Sequence, residues 1–348
     1  GDIGNKNQPL IKDPIYTKEA DYVVMEATYG DRYHAKQKGG YVSDLAEVIN
    51  KTFAKGGNVV IPSFAVGRTQ EILYFLRKIK ADNMIPNFPR FEVYVDSPLA
   101  VEATGVFQKN IYTCFDEEAM ELVNKGINPL NFPGLKLAIT SEESKEINFD
   151  MTPKVIISAS GMCEAGRIRH HLKHNLWRPE CTILFVGYQA AGTLGRILIE
   201  GADEVKLFGE AVEVRAKITQ LPGLSGHADK GGLIEWVNAF EKKPDKVFIV
   251  HGEDTACSLF ADCLRTEHGQ DAYAPYSGTR IDLLTGAVEF EASPVAVKKR
   301  LRSISDVFAR LLAAGQRLIA VIYKNESRPN KELARFADQI NSLADKYE

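Results

Sequence analysis

An alternation of short apolar runs and amphipathic stretches most strongly limits how this chain of 348 residues can fold. Between residues 21 and 253, the apolar runs are DYVVME, NVVIP, FEVYV, KVIIS, CTILFVG and KVFIVHGE. Runs of this length predict buried strands, and apolar spacings of three and four between them predict helices. Such alternation is typical of βαβ units, so the sequence predicts an α/β fold around a mainly parallel sheet.

Other segments are less regular. Ser43 is predicted to cap the first helix. Residues 104 to 150 have a weak pattern, and we expect helix and loop there. The charged tail is predicted to be helical over residues 297 to 315 and 331 to 347. The second tail helix has one apolar stripe, which indicates either packing on the main body or an oligomer contact; the stripe is formed by Leu333, Phe336, Ile340 and Leu343.

Overall charge and cysteine content narrow the function classes. The formal net charge is −3, so a polyanion would need a local basic site rather than the global field. No apolar run reaches the roughly 18 residues that cross a bilayer, and we expect no membrane partner. The five cysteines include no C-x-x-C pair. This usage predicts free thiols in a reducing cytosol, and therefore a cytoplasmic location.

Asp2, Glu26, His227 and His251 each lie at or just after the end of a predicted strand. In open α/β sheets ligands bind at the carboxyl edge of the strands, so we expect these side chains to converge. Carboxylate oxygens and imidazole nitrogens are ligands that zinc accepts. Each residue taken singly also fits a structural role, and the shared location is what favours a functional one.

Glycine-rich loops before predicted helices form a second group of candidates. Backbone N–H groups at a helix start, with hydroxyls and an arginine, suit phosphate oxygens. No loop matches the P-loop or G-x-G-x-x-G pattern, which argues against nucleotide-fuelled chemistry. The predicted phosphate-binding residues are Ser63, Arg68, Ser158, Ser160, Gly161, Gly192, Thr193 and Arg196.

The segment RIRHHLKH is rich in histidine and basic residues. His170 and His174 lie one helical turn apart and could ligate a metal, but no H-E-x-x-H glutamate accompanies them. A basic helix face near a polyanion is the favoured interpretation.

Seven ordered segments resemble the β-CASP branch of the metallo-β-lactamase superfamily, which includes ribonuclease J and the endonuclease subunit of the cleavage and polyadenylation factor. They are DYVVMEATYGDRYH, IPSFAVGRTQEIL, YVDSPLA, ISASGMCEAGRIRHHL, GYQAAGTLGR, LSGHADKGGLIEWV and VFIVHGE. The resemblance implies the C-terminal part of a metallo-β-lactamase αββα sandwich, at 1–33 and 225–288. It also implies an inserted β-CASP domain at 34–224, with a mainly parallel sheet flanked by helices, and leaves 289–348 as a helical tail.

The resemblance also implies roles for the four converging residues. Asp2 in GDIGN would bridge two zinc ions, and His251 would ligate one of them. His227 would contact the scissile phosphate and protonate the leaving oxygen. Glu26 would hold the second nitrogen of His227, as a carboxylate orients a histidine for acid–base chemistry. The β-CASP loops would hold the phosphates of single-stranded RNA in a slot above the metals.

The implied function is zinc-dependent hydrolysis of phosphodiester bonds in single-stranded RNA. Members that act on RNA tend to carry histidine at the position of His251, whereas those that act on DNA tend to carry valine. A non-catalytic RNA-binding subunit, a DNA nuclease of the same superfamily and a small-molecule-binding α/β domain are the alternatives. RNA is the predicted partner, and homodimerisation is left open.

The chain begins at GDIGN, and it contains no H-x-H-x-D-H motif. In the resembling family, that motif and a further histidine precede GDIGN and supply most of the zinc ligands. We therefore expect this chain to be an incomplete fragment, with weak or absent zinc binding and no hydrolytic activity by itself.

Overall fold

The computed structural model describes residues 1–34, 40–221, 225–294 and 330–345, together with single positions between 311 and 325. It has two compact units, Gly1–Ala292 and Ser293–Glu348. The strands of the first unit are β1 Tyr22–Glu26, β2 Val59–Pro62, β3 Glu92–Val95, β4 Leu135–Leu137, β5 Lys154–Ser158, β6 Thr182–Phe185, β7 Glu204–Leu207, β8 Glu210–Glu213, β9 Lys217–Gln220, β10 Lys246–Val250, β11 Ala272–Tyr273, β12 Arg280–Ile281 and β13 Val288–Phe290. Its helices are α1 Tyr41–Phe53, α2 Arg68–Ala81, α3 Pro98–Lys109, α4 Ile111–Cys114, α5 Glu117–Asn124, α6 Ser141–Phe149, α7 Ile168–Asn175, α8 Leu194–Ile199, α9 Lys230–Asn238 and α10 Asp254–His268.

The predicted α/β class with mainly parallel sheets is confirmed. Within the described residues, one sheet has the strand order β4-β3-β5-β2-β6-β9 and another has the order β1-β10-β11. Every strand pair in these two sheets is parallel. The remaining pairs, β7–β8 and β12–β13, are antiparallel hairpins.

Alternate residues of the central strands belong to two different hydrophobic clusters. Val59 and Ile61 belong to one cluster and Val60 to the other, because successive side chains of a strand point to opposite faces. Both faces of the larger sheet are therefore covered. This double burial explains why β2 and β5 read as continuous apolar runs in the sequence.

The smaller sheet positions the ends of β1 and β10. Val23 and Met25 of β1 pack in a third cluster with Leu233 of α9 and Phe260 of α10. The parallel register places the last residue of β1, Glu26, beside the last residue of β10, Val250. The residue that follows β10, His251, therefore lies at the same sheet edge as Glu26.

Some local predictions were wrong. Helix α1 begins at Tyr41, with Gly40 at its N-cap, and the Ser43 hydroxyl donates to the Gly40 carbonyl at 2.7 Å. Ser43 is thus inside the first turn rather than capping it. In the weakly patterned region, β4 is an edge strand that sequence analysis missed. Strand β13 spans residue 289, where the tail is predicted to start, and the predicted domain boundaries stay predictions.

The tail contains α11, Asn330–Asp345, which confirms the second predicted tail helix. Most of the predicted helix at 297 to 315 lies outside the described residues. On α11, Leu333, Phe336 and Ile340 are half-buried and Leu343 is exposed. Among the described residues, no helix combines the length and apolar character that a membrane span requires.

Asp96, just after β3, is a buried junction between helices. Its Oδ2 accepts hydrogen bonds from the Ser144 hydroxyl and from His171 Nε2, both at 2.6 Å. Its Oδ1 accepts one from the Arg167 guanidinium at 2.7 Å. Burial alone raises the pKa of Asp96, but these hydrogen bonds outweigh burial and hold the pKa below its ordinary value of 3.8. The ionised carboxylate therefore stabilises the fold above pH 3.8, and this contribution is lost as the pH falls through the folded-state pKa.

Replacing Asp96 by Asn should lower the free energy of unfolding by about 3–5 kcal/mol at neutral pH, because the Arg167 guanidinium loses its buried carboxylate partner. Urea denaturation at several pH values measures this loss. The difference in the free energy of unfolding between wild type and the variant should become smaller below pH 3.8. Asp262→Asn is the matched control, since Asp262 forms an exposed ion pair with Arg265 worth about 1 kcal/mol or less. Equal losses for both variants, or a gap that is constant with pH, would contradict this interpretation.

Candidate metal and catalytic site

The first five residues run beside the loop that precedes α9. The Asn5 N–H donates to the Gly226 carbonyl at 3.0 Å, and the Ala228 N–H donates to the Ile3 carbonyl at 2.9 Å. Gly4 forms an antiparallel bridge with His227. These contacts bring Asp2 and His227, distant in sequence, to one place.

The buried carboxylate of Glu26 pairs with the partly exposed imidazole of His227. The Glu26 side chain is fully buried, and His227 retains 33% of its side-chain exposure. Nδ1 of His227 lies 2.9 Å from Oε1 and 2.8 Å from Oε2 of Glu26. The Ile3 N–H also donates to Oε1, at 2.7 Å. With Nδ1 held by Glu26, Nε2 is the ring nitrogen of His227 that is left for a ligand.

The two partners shift each other's pKa. Burial alone raises the pKa of the Glu26 carboxyl, but hydrogen bonds from His227, Thr28 and the Ile3 N–H outweigh it and hold that pKa below its usual range. The hydrogen bond to Glu26 raises the pKa of His227, with partial burial opposing the shift. The pair thus favours an ionised carboxylate beside a protonated imidazole, which suits His227 to donate a proton.

His251 stands at the mouth of the same site. Its Nδ1 lies 3.6 Å from Asp2 Oδ1 and 3.4 Å from the Thr28 hydroxyl. Its ring centre is 5.7 Å from that of His227. The φ of His251 is 50°, a conformation that non-glycine residues rarely adopt and that is concentrated at functional sites. Gly252 permits the tight turn, because a Cβ there would come within 2.8 Å of the Ala27 carbonyl oxygen.

The donor atoms of these residues fit a zinc ion. The ligand atoms of Asp2, His227 and His251 all lie within 4.8 Å of one another. Asp2 and His251 supply a carboxylate and an imidazole, which are donors that catalytic zinc sites use, and His227, held by Glu26, lies beside them. Among the described residues, one other group of this kind occurs, formed by Cys263, Glu267 and His268 near the end of α10. Neither group includes His170 or His174, and the ring of His170 stacks on Phe208 at 4.4 Å.

A cleft of about 1050 Å³ opens over the site. His227 and His251 line it, and so does the turn between β2 and α2. Among the predicted phosphate-binding residues, Arg68 lines this cleft. Arg68 is buried and forms an ion pair with Glu71, whose own pKa is raised by burial.

The hydroxyls predicted to bind phosphate make internal hydrogen bonds. The Ser63 hydroxyl donates to the Phe64 carbonyl at 3.3 Å, and that of Ser158 donates to the Asp96 carbonyl at 2.8 Å. The Ser160 hydroxyl accepts from the Glu164 N–H at 3.2 Å.

The remaining predicted phosphate ligands lie around α8 and the loop after β5. Thr193 is the N-cap of α8, with its hydroxyl donating to the Ala190 carbonyl at 2.7 Å. Arg196 pairs with Glu200 at 2.6 Å. Gly161 is buried, and Gly192 is exposed with a φ of 77°. Their predicted roles in phosphate binding stay predictions.

Sequence analysis missed several residues that line the cleft. Thr28 contacts His251 and holds Glu26, and the Tyr188 hydroxyl donates to Glu253 at 2.9 Å across the cleft. Arg32 and Phe64 also line it. Thr28 and Arg32 lie within the motif MEATYGDR, and Phe64 lies within PSFAVGR. The motifs could have pointed to these residues, but neither motif shows which side chains face the cleft.

Comparisons with known families agree with this fold and site. The Beta-Casp domain matches residues 69–198, and the Zn-dependent metallo-hydrolase RNA specificity domain matches residues 211–275. The chain therefore belongs to the β-CASP branch of the metallo-β-lactamase superfamily. This result confirms the family that the sequence motifs predicted, and the second domain's description indicates zinc and RNA at the level of the family.

Individual proteins are similar over most of this chain. It is 38% identical over 254 residues to the Ribonuclease TTHA0252 of Thermus thermophilus, covering 73% of this chain and 56% of that protein. It is 32% identical over 281 residues to an RNase J-like protein of Methanocaldococcus jannaschii, covering 80% and 63%. It is 32% identical over 254 residues to the transcription termination factor FttA of Methanosarcina mazei, covering 70% and 39%. The chain thus spans less than two thirds of the length of each of these relatives.

Glu26→Gln should lower the pKa of His227 toward its ordinary value of 6.5, because the neutral amide no longer favours the charged imidazole. NMR titration of the His227 ring in metal-free protein measures the change. Glu235→Gln, on an exposed side chain paired with Lys6, is the control and should leave His227 unchanged. An unaltered His227 pKa in Glu26→Gln would show that Glu26 does not act on the ring.

Proposed function

We propose that the whole protein containing this chain is a zinc-dependent hydrolase that cleaves phosphodiester bonds in single-stranded RNA, whereas the 348-residue chain by itself is predicted to lack this activity. The observation that carries the proposal is the Glu26–His227 pair beside Asp2 and His251, with both histidines lining one cleft. The names of the similar proteins, a ribonuclease and an RNase J-like protein, support it. The match to an RNA specificity domain, together with histidine at position 251, supports RNA over DNA.

In the proposed mechanism, Asp2 and His251 would hold zinc. When bound, zinc lowers the pKa of a coordinated water and stabilises charge on the phosphoryl oxygens. Glu26 fixes the ring of His227 by accepting its Nδ1–H, and the remaining Nε2–H faces the substrate. The raised pKa of His227 keeps this proton available near neutral pH, so Nε2 protonates the leaving oxygen. Thr28 orients both Glu26 and His251.

The number of zinc ions, the cytoplasmic location, the domain boundaries and the homodimer stay predictions.

Zinc titration of the whole protein by calorimetry tests the metal ligands. Asp2→Asn and His251→Asn should each lower zinc affinity by at least about 10-fold, because outer-sphere partners alone are worth that much. His174→Asn is the matched control, since His174 is exposed and outside the cleft. Unchanged affinity in both ligand variants would remove Asp2 and His251 from the metal site.

Cleavage of single-stranded RNA by the whole protein tests the proton donor. His227→Ala should lower kcat by about 10²- to 10⁴-fold, the usual contribution of general acid catalysis, with little change in KM. His174→Ala should cleave at the wild-type rate. Equal rates for wild type and His227→Ala would exclude His227 from the mechanism.

A further inference from the structure

The cleft that His227 and His251 line also carries exposed apolar side chains. Phe64, Val66 and Leu99 line the cleft and are 46%, 63% and 60% exposed. Phe64 and Val66 come from the turn between β2 and α2, and Leu99 lies in the first turn of α3. Apolar side chains that cluster in one cleft indicate a binding surface, whereas scattered ones do not. We call these three residues the apolar platform.

Phe64 is held in place before any ligand arrives. Its carbonyl accepts hydrogen bonds from the Thr69 hydroxyl at 2.7 Å and from the Thr69 N–H at 3.3 Å. Its ring lies against Gly161, where an added Cβ would come within 3.1 Å of the ring. The ring is therefore supported on one side and open on the other. A preorganised aromatic side chain loses little conformational freedom on binding, which increases affinity.

The charges around the platform favour an anionic ligand. Lys12 and Arg32 line the same cleft, with Lys12 exposed and the Arg32 side chain 44% exposed and paired with Asp31. They outnumber the exposed carboxylate of the lining, Glu253, because Glu71 is already paired with Arg68. A single strand of RNA offers phosphates to such cations and flat apolar faces of unpaired bases to an aromatic ring. An acidic peptide matches the cations but has no flat face in each repeat unit. The combination of cations and a supported aromatic ring therefore selects the nucleic acid.

We propose that the apolar platform is a base-binding subsite, in which Phe64 stacks on an unpaired base of the RNA whose backbone runs past His227. The inference rests on the proposed function and adds a contact to the bases themselves. Stacking uses the face of a base and not its hydrogen-bonding edge, so this subsite accepts any base. A paired base cannot present its face to Phe64, so the subsite also selects single strands.

Fluorescence anisotropy with the whole protein tests the subsite. The probes are a labelled oligouridylate and an abasic ribose-phosphate oligomer of the same length. Wild type should bind the oligouridylate more tightly. Phe64→Ala should weaken oligouridylate binding by about 5-fold or more, as expected for one lost stacking contact, and leave abasic binding unchanged. Phe64→Tyr should retain wild-type binding, because it keeps the aromatic face.

Phe149→Ala is the matched control, since Phe149 is 75% exposed and outside the cleft; it should bind both probes like wild type. Equal oligouridylate binding by wild type and Phe64→Ala would overturn the inference. So would a loss of both probes in Phe64→Ala, which indicates a structural effect. Wild type that binds the two probes equally would overturn the base subsite alone, whereas wild type that binds neither would also contradict the proposed function.

Discussion

The buried carboxylate of Glu26 is the group on which the candidate site depends. A buried carboxylate without hydrogen-bond partners is strongly destabilising, so the fold must supply donors. The Ile3 N–H and the His227 ring are such donors. Satisfying Glu26 therefore draws the first residues of the chain and the loop before α9 to the end of β1. The interaction that stabilises this region is the same one that orients His227 and brings Asp2 beside it.

The parallel pairing of β1 with β10 positions the other residues of the candidate site, Thr28 and His251. Because the register sets Glu26 against Val250, the segments that follow the two strands emerge at one edge. Thr28 and His251 meet there, and the left-handed backbone of His251 turns its ring toward Asp2. The sheet thus provides a rigid base for donors that come from three distant parts of the chain.

The sequence was sufficient to predict elements whose pattern reflects burial. Strands β2 and β5 are covered on both faces, so their apolar runs are unambiguous. The position of His251 at the same sheet edge as Glu26 follows from the geometry of parallel sheets. By contrast, β4 is a short edge strand of three residues whose side chains are largely exposed, and its sequence has no matching apolar run. The Asp96 junction joins residues 48 and 75 positions apart, a contact that local spacing cannot indicate.

In the glycine-rich loops, too, the local sequence does not predict which side chains make tertiary contacts. Their sequences indicate hydroxyls next to helix starts, but whether a hydroxyl faces the cleft depends on tertiary packing. Ser63 and Ser158 are directed to neighbouring carbonyls, while Phe64, one residue after Ser63, faces the cleft. A one-residue difference in a turn thus decides whether a side chain contacts ligand or supports the fold.

Zinc-edge anomalous diffraction from zinc-loaded crystals of the whole protein tests the central claim most directly. The account predicts an anomalous peak bonded to Asp2 and His251, with Nδ1 of His227 still on Glu26. A peak only at Cys263, Glu267 and His268, or zinc bonded to neither Asp2 nor His251, would contradict it.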